Sequence, residues 1–251
     1  MDLGLKGKRV VVTGGSKGIG RAIALAFARE GANIATCART AEALELAARE
    51  FRERGVTVYT ETADIGEKES LEGFLEGAHG ALGGIDILVN NASGFGVADN
   101  EAGWDASFRV DVMAAVRATA LVAPWMAESG GGAIVHISSI SGMEAGSPAP
   151  YAAAKAALFS HAKTMAPGLA AQNIRINTVA PGSIEFPGGT WDLVRQFRPD
   201  RYQAIREAIP FGRLGRPDEV ADVVVFLCSE RASWVSGAVV AIDGCQHKGN
   251  F

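Results

Sequence analysis

The sequence predicts an α/β fold with one doubly wound parallel sheet of about seven strands and helices on both faces. Short runs rich in β-branched residues alternate with amphipathic helical patterns along the whole chain. The first of these runs, Val10-Val11-Val12, leads directly into a glycine-rich turn. Parallel strands need long crossover connections, which helices between successive strands supply, so this alternation favours a parallel sheet.

Each strand is predicted from an apolar run that Gly, Asn or Asp residues bound. In chain order the predicted strands are about 8–13, 33–37, 56–60, 85–89, 133–137, 174–179 and 238–242. Helical patterns fill the intervals near 18–30, 41–54, 67–82, 105–127, 151–171, 201–208 and 217–229. In the helix near 151–171, Pro167-Gly168 predicts a kink or an early end.

No linker, low-complexity run or repeat divides the chain, so we expect a single domain over 1–251. One irregular stretch, about 183–216, is longer than the loops of compact domains usually are. It carries several apolar side chains, including Trp191 and Phe197, that can cover a small molecule. We therefore expect this segment to be a substrate lid.

Composition narrows the functional classes. A hydrophobic content of 48% with 21% charged residues is typical of a compact protein, and the net charge of −4 gives no reason to expect nucleic acid. No unbroken apolar run reaches the ~18 residues of a membrane span. The first eight residues lack the apolar stretch of a signal peptide, so a cytoplasmic location is expected. The three cysteines and four histidines have no metal-ligand spacing, and we expect no metal site.

The glycine-rich turn is the first candidate binding site. Its glycines are spaced Gly14-x-x-x-Gly18-x-Gly20, between the first predicted strand and the first predicted helix. This layout lets backbone N–H groups approach a diphosphate at the positive end of the helix. The alternative is a tight turn without a ligand. Its place after the first strand of an α/β pattern favours the binding site.

A second candidate site lies in the middle of the chain. Tyr151 and Lys155 are four residues apart on a predicted helix and therefore share a face. A nearby ammonium stabilises a phenolate, which makes Tyr151 a candidate general acid or base. Ser139 provides a hydroxyl that can hydrogen-bond the oxygen of a carbonyl or alcohol. Alone, this spacing is weak evidence, because it occurs by chance and is more typical of an ordinary helix surface.

Taken together, the motifs resemble the short-chain dehydrogenase/reductase family, in particular its 3-oxoacyl-carrier-protein reductases. The ordered set that carries the resemblance is Thr13-Gly14-x-x-x-Gly18-Ile19-Gly20, Asp64-Ile65, Asn90-Asn91-Ala92, Ser139, Tyr151-x-x-x-Lys155 and Pro181-Gly182. The resemblance implies a Rossmann-like fold and an enzyme that interconverts a carbonyl and a secondary alcohol. Tyr151 would be the proton donor or acceptor, Ser139 would orient the substrate oxygen, and Lys155 would assist Tyr151.

The resemblance also implies the residues of a dinucleotide site. They are Gly14, Ser16, Lys17, Gly18, Ile19, Gly20, Arg39, Asp64, Ile65, Asn91, Ala92, Tyr151, Lys155, Pro181, Gly182 and Ile184. At the end of the second strand, where NAD sites usually place a carboxylate, this chain has Ala38 followed by Arg39. With Lys17 in the turn, two cations and no acid favour NADP. The alternative is that both cations are ordinary surface charges, and an N-cap is the alternative for Asp64.

The chain departs from the family pattern at three positions: Ser93, Phe186 and Asp111. The family has an asparagine in place of Asp111, so Asp111 is the fourth predicted catalytic residue, unless it points elsewhere. A carboxylate there would raise the pKa of Lys155. These departures leave open a catalytically weak NADP-binding sensor or assembly subunit. The sequence identifies neither the substrate nor the physiological direction of reaction.

The resemblance further implies a homo-oligomer, in the family a tetramer paired through the helices near 105–127 and 151–171. Both helices carry many small residues, which allow close packing. Between Thr190 and Arg216 the chain has six arginines and three acids. They form either a docking patch for an acidic carrier or phosphate-bearing thioester, or solvated charges around a pocket for a small free ketone.

Overall fold

Seven parallel strands form one sheet in the order β3-β2-β1-β4-β5-β6-β7, in a computed structural model that describes residues 2–249. The strands are β1 (Arg9–Thr13), β2 (Asn33–Ala38), β3 (Val58–Thr62), β4 (Ile87–Asn90), β5 (Gly132–Ile137), β6 (Ile174–Pro181) and β7 (Val239–Ile242). All seven predicted strands are found within two residues of their predicted bounds. The ends of the predicted 1–251 domain lie outside the described residues, and its extent stays a prediction.

Nine α-helices connect these strands in the described part of the chain. They are α1 (Gly18–Arg29), α2 (Ala41–Arg52), α3 (Lys68–Leu82), α4 (Glu101–Ser107), α5 (Ala114–Glu128), α6 (Ala149–Ala170), α7 (Thr190–Phe197), α8 (Pro199–Ala208) and α9 (Pro217–Cys228). The helix α6 runs through Pro167 to Ala170, so the early end that was one of two expectations there is wrong.

The sheet separates two apolar layers. One layer joins the sheet to α1, α2 and α9 and includes the fully buried Phe27 and Val224. The other joins it to α3, α5 and α6 and includes the fully buried Phe74 and Val122. Because strand order reverses between β1 and β4, the loops that follow these two strands diverge and leave a crevice at the carboxyl edge of the sheet.

A π-helical segment, Phe108–Met113, joins α4 to α5. The three pieces form the stretch Glu101–Glu128, predicted as one helix over 105–127. By length and mean hydropathy this stretch could cross a membrane, but 44% of its most apolar window is buried inside the protein. Core helices pass the same test, so this is weak evidence for a span. Single π-turns are frequent at functional sites, and this one carries Asp111.

The segment predicted as an irregular lid, 183–216, contains two helices. The second, α8, was predicted near 201–208, but α7 was not. Pro187-Gly188-Gly189 ends the preceding loop, and the helix begins at Thr190. An eight-residue helix offers too little periodicity to separate it from a polar loop. That the segment acts as a lid stays a prediction.

Candidate active site

The predicted catalytic side chains converge at the carboxyl edge of β5. Ser139 follows that strand, Tyr151 and Lys155 lie in the first turns of α6, and Asp111 lies on the π-helical segment. Lys155 Nζ is 2.7 Å from Asp111 Oδ1 and donates to the Ile137 carbonyl at 3.0 Å. It also lies 5.6 Å from the centre of the Tyr151 ring. The structure thus brings Tyr151, Lys155 and Asp111 together, and Ser139 follows the strand whose last carbonyl accepts from Lys155.

The Lys155–Asp111 ion pair is closed to solvent, with 3% and 0% of the two side chains exposed. Burial opposes the charge of Lys155 and is the largest influence on its pKa. The Asp111 carboxylate, Tyr151 and the hydrogen bond to Asp111 act in the opposite direction and raise the pKa of Lys155 above its usual value. Lys155 is therefore cationic at neutral pH, as the carboxylate at position 111 predicts.

Ser139 is held by the backbone that follows it. Its Oγ accepts the Ser141 N–H at 3.1 Å, and Ser141 Oγ accepts from Ser147 Oγ at 2.9 Å. Within the described residues, the Ser139 hydroxyl hydrogen has no acceptor. It therefore remains available to donate to an oxygen that enters the crevice beside Tyr151.

Phe95 is a site residue that the sequence did not indicate. Its ring stacks on Tyr151 with 5.4 Å between centroids and 12° between planes. The loop before it is fixed because Gly94 N–H donates to Asp111 Oδ2 at 2.8 Å and Phe95 N–H to Ser93 Oγ at 3.2 Å. Phe95 has a φ of +48° and is 55% exposed. An exposed aromatic side chain in the left-handed region is unusual, and this one lies directly against the predicted proton donor.

The glycine turn is braced from β4. Thr13 Oγ1 accepts the N–H groups of Asn91 at 3.0 Å and Ala92 at 3.3 Å. In return the Asn91 side-chain amide donates to the Thr13 carbonyl at 2.8 Å and to that of Gly14 at 3.3 Å. Asn91 was predicted among the cofactor-binding residues; in this structure its amide holds the turn itself.

The turn has the shape that a dinucleotide requires. Gly14 and Gly18 have φ values of +73° and +57°, which side-chain-bearing residues rarely adopt. A Cβ at Gly20 would collide with the Gly14 carbonyl. The helix α1 begins at Gly18 without a side-chain cap, so its first N–H groups remain free for an anion. Ser16, Lys17 and Ile19 lie in the same turn.

Phe186 lies against this turn, and a Cβ on Gly18 would be 2.5 Å from its ring. Phe186 is one of the three predicted departures from the family pattern, and it places an aromatic ring at the border of the turn. Pro181 is the last residue of β6, and Gly182 follows it. Ile184, at the start of the lid segment, pairs with Gly215 near the end of that segment.

Asp64 and Ile65 follow β3 as predicted. Asp64 Oδ1 accepts the Gly66 N–H at 2.9 Å, and Ile65 is buried. The helix α3 begins at Lys68 with Glu67 at its N-cap position, so the N-cap alternative for Asp64 is wrong.

Arg39 and Lys17 are exposed and form no ion pair with a described residue. Two cations without an acidic partner, together with the absence of a carboxylate at Ala38, suit an anionic group on the ligand.

No described group of His, Cys, Asp and Glu residues could hold a metal ion.

A buried polar chain behind the site also escaped prediction. Asn90 Nδ2 lies 3.1 Å from His136 Nδ1, and His136 Nε2 lies 3.0 Å from His161 Nδ1. Burial, His161 and Lys155 lower the pKa of His136 to about 3. His136 is therefore neutral, and the chain links β4, β5 and α6 beneath the catalytic residues.

Comparison with known proteins agrees with this geometry. Residues 14–247 match the family described as Enoyl-(Acyl carrier protein) reductase. The chain is 35% identical to a 3-oxoacyl-[acyl-carrier-protein] reductase of Thermotoga maritima, over 96% of this chain and 98% of the relative. Its fold superimposes with a TM-score of 0.91 on L-sorbose reductase from Gluconobacter frateurii complexed with NADPH and L-sorbose, at 37% identity and with 99% and 100% of the two chains covered. A 7 alpha-hydroxysteroid dehydrogenase complexed with NADH and 7-oxo glycochenodeoxycholic acid also gives 0.91, at 33% identity and 97% and 96% coverage.

Proposed function

Because the chain belongs to the short-chain dehydrogenase/reductase family, a family of oxidoreductases, we propose that it is an NADP(H)-dependent enzyme that interconverts a carbonyl and a secondary alcohol. The observation that carries the proposal is the buried Lys155–Asp111 pair beside Tyr151. It keeps a fixed positive charge next to a phenol at the mouth of a dinucleotide crevice, which is what proton exchange at a substrate oxygen requires.

The roles of the side chains follow from their positions. A bound nicotinamide dinucleotide supplies or accepts the hydride. During reduction Tyr151 donates its proton to the substrate oxygen as negative charge develops there, and Ser139 donates a hydrogen bond to the same oxygen. Lys155 stabilises the tyrosinate that remains, because its ammonium lies close to the ring. Phe95 confines the substrate on the outer side of Tyr151. Oxidation of the alcohol reverses these steps.

The preference for NADP rests on Arg39 and Lys17. Both cations are exposed, Arg39 directly after β2 and Lys17 in the glycine turn after β1, and no carboxylate takes the place of Ala38. A 2′-phosphate would gain charge-assisted hydrogen bonds there. The structural relatives bind either cofactor, NADPH in the sorbose reductase and NADH in the hydroxysteroid dehydrogenase. The choice therefore depends on these two side chains of this chain.

The substrate we propose is a small free carbonyl compound, with a 3-oxoacyl thioester as the alternative. The alternative draws on the carrier-protein reductases among the relatives. The lid arginines support it less than their number suggests, since three of the six are in ion pairs. Arg195 pairs with Asp192 and Glu185, Arg213 with Glu219, and Arg216 with Asp218. We further propose a cytoplasmic homotetramer.

The proposal is tested by following NADPH oxidation with L-sorbose, ethyl acetoacetate and acetoacetyl-coenzyme A. We expect turnover with at least one of them and its loss, to below a few per cent, in Tyr151→Phe. Cofactor affinity should be nearly unchanged in that variant, because the phenol oxygen alone is removed. Tight NADPH binding without turnover on a broad ketone panel would favour the sensor or assembly subunit instead. A Tyr151→Phe enzyme that keeps its rate would overturn the assigned role.

A further inference from the structure

The segment that follows β7 closes back over the carboxyl edge of the sheet. We name Asp243–His247 the C-terminal clasp. It touches the loop after β6, where Ser183 N–H donates to Gln246 Oε1 at 2.9 Å. It also touches the loop between Ser139 and Tyr151, where His247 Nδ1 lies 3.0 Å from Glu144 Oε2. The clasp therefore spans the two loops that flank the predicted substrate cleft.

The clasp is an ordered turn. Asp243 accepts hydrogen bonds from three backbone N–H groups of the segment: Oδ1 accepts from Cys245 at 3.0 Å, Oδ2 from His247 at 2.7 Å, and its carbonyl oxygen from Gln246 at 3.2 Å. Gly244 and Cys245 both have φ values of +62°. For Cys245 this conformation is strained, and strain persists only where the surrounding contacts over-determine it.

Gly182 and Gly244 pack so closely against their neighbours that a side chain at either position would be crowded. A Cβ at Gly182 would lie 2.8 Å from Asp243 Cβ and 2.9 Å from Gln246 Oε1. A Cβ at Gly244 would lie 3.2 Å from Ile209, at the end of α8. The His247 side chain is 8% exposed, although it lies two residues from the last described residue. The clasp thus contacts the β6 loop, the lid segment and the loop that carries Glu144.

We propose that Glu144 and His247 are positioning residues for substrate binding, which act by holding the loop 143–148 against the clasp. This inference rests on the proposed function, because that loop joins Ser139 to Tyr151. The loop contains the exposed Ala145 and Gly146, the latter with a φ of +104°, and its described internal hydrogen bonds are few. The contact with His247 fixes its outer side. Loss of that contact loosens the wall of the cleft without touching the proton donor.

The test compares Glu144→Ala, His247→Leu and the double variant with wild type. The conservative His247→Asn places an amide nitrogen near the position of Nδ1 and should restore binding in part. Lys248→Ala, at the exposed next residue, is the matched control. With the best substrate of the panel, KM should rise about fivefold to tenfold in each single variant, the size expected for one lost hydrogen bond. The double variant should be no worse, and kcat and NADPH affinity should stay within about twofold because the machinery itself is intact.

Hydrogen exchange gives a second measurement that needs no substrate. Peptides covering 140–148 and 183–189 should lose protection in Glu144→Ala and His247→Leu, while peptides from the sheet and the Lys248→Ala protein should not change. Unchanged protection of these peptides would overturn the clasp even if no substrate were found. Lost protection with an unchanged KM, or equal falls of kcat in every variant, would overturn its role in substrate binding. Absence of turnover in wild type, by contrast, would count against the proposed function alone.

Discussion

Asp111 connects three parts of the active site through one carboxylate. Oδ1 holds the Lys155 ammonium, and Oδ2 holds the Gly94 N–H of the loop that places Phe95 on Tyr151. Where the family pattern has an asparagine, this chain has a full negative charge beneath the catalytic lysine. Removal of one partner from a buried ion pair typically costs about 3–5 kcal/mol, because the other charge is left uncompensated. Asp111 therefore affects stability and chemistry together.

Asp111→Asn should separate these two effects. The largest influence that raises the pKa of Lys155 disappears, while the burial that lowers this pKa remains. Lys155 then loses its proton at lower pH, so the alkaline limb of the kcat/KM profile should move to lower pH. The free energy of unfolding at neutral pH should fall by up to about 3 kcal/mol, since the amide still accepts a hydrogen bond. Stopped-flow or steady-state pH profiles and urea unfolding measure the two quantities.

Asp105→Asn is the control for this experiment. It removes the same charge from the same helical stretch, at an exposed side chain that pairs only with Arg109 among the described residues. Its pH profile should match that of wild type. An Asp111→Asn profile that coincides with wild type would show that Asp111 is not coupled to the proton path.

The sequence indicated some of these side chains and could not indicate others. Tyr151 and Lys155 are four residues apart, and a helix puts such residues on one face whatever surrounds it. The proximity of Asp111 to Lys155 was implied by the family resemblance alone, because the π-turn that carries Asp111 has no sequence signature. Phe95 was missed because its contact with Tyr151 is made by a loop whose path depends on tertiary contacts.

Among the elements, the strands were the most predictable. The strands in the interior of the sheet are buried on both faces, so their apolar runs are nearly unbroken. Gly, Asn or Asp residues mark the ends of these runs. The outer strands β3 and β7 are only partly buried, yet their bounds were also found to within two residues. The short α7 was missed, and the loops of the cleft could not be predicted because few local rules determine them.

The end of β2 should set cofactor preference. Arg39→Asp removes a cation and adds a carboxylate that can bind a ribose hydroxyl and repel a 2′-phosphate. We expect the ratio of kcat/KM for NADPH over NADH to fall at least about tenfold, the value of one charge-assisted hydrogen bond. Arg54→Asp is the matched control, because it makes the same charge change at an exposed residue just beyond α2. A wild-type enzyme that already prefers NADH would contradict the assignment of Arg39.

The whole molecule places these parts at one edge of one sheet. The cofactor crevice opens between β1 and β4, the catalytic residues follow β5, and the clasp follows β7. Since all seven strands are parallel, every loop that follows a strand reaches the same edge. This topology explains why residues as distant in sequence as Gly14 and His247 lie at one edge of the sheet, and why the order of the motifs was informative before any contact was known.

The outer surface of the molecule carries large apolar side chains, on two helical regions, that the described chain covers only in part. Trp104, Phe108 and Met113 on the α4–α5 stretch and Met165 on α6 are each between 37% and 39% exposed. These are the two helical regions predicted to pair between subunits. Burial of large apolar side chains is the main driving force of permanent assembly. These exposed side chains therefore support the proposed homotetramer.

We expect light scattering after size exclusion to give a mass four times that of the chain, with dihedral symmetry the arrangement most compatible with two self-complementary faces. Met113→Glu and Met165→Glu should each lower this mass to that of a dimer or monomer, because a carboxylate buried at either face would lack a partner. Leu46→Glu, on α2, makes a comparable change at an exposed leucine away from both helices and should leave the mass unaltered. A wild-type protein with the mass of one chain at every concentration would refute the tetramer. A tetramer that survives both methionine substitutions would show that its subunits pair through other surfaces.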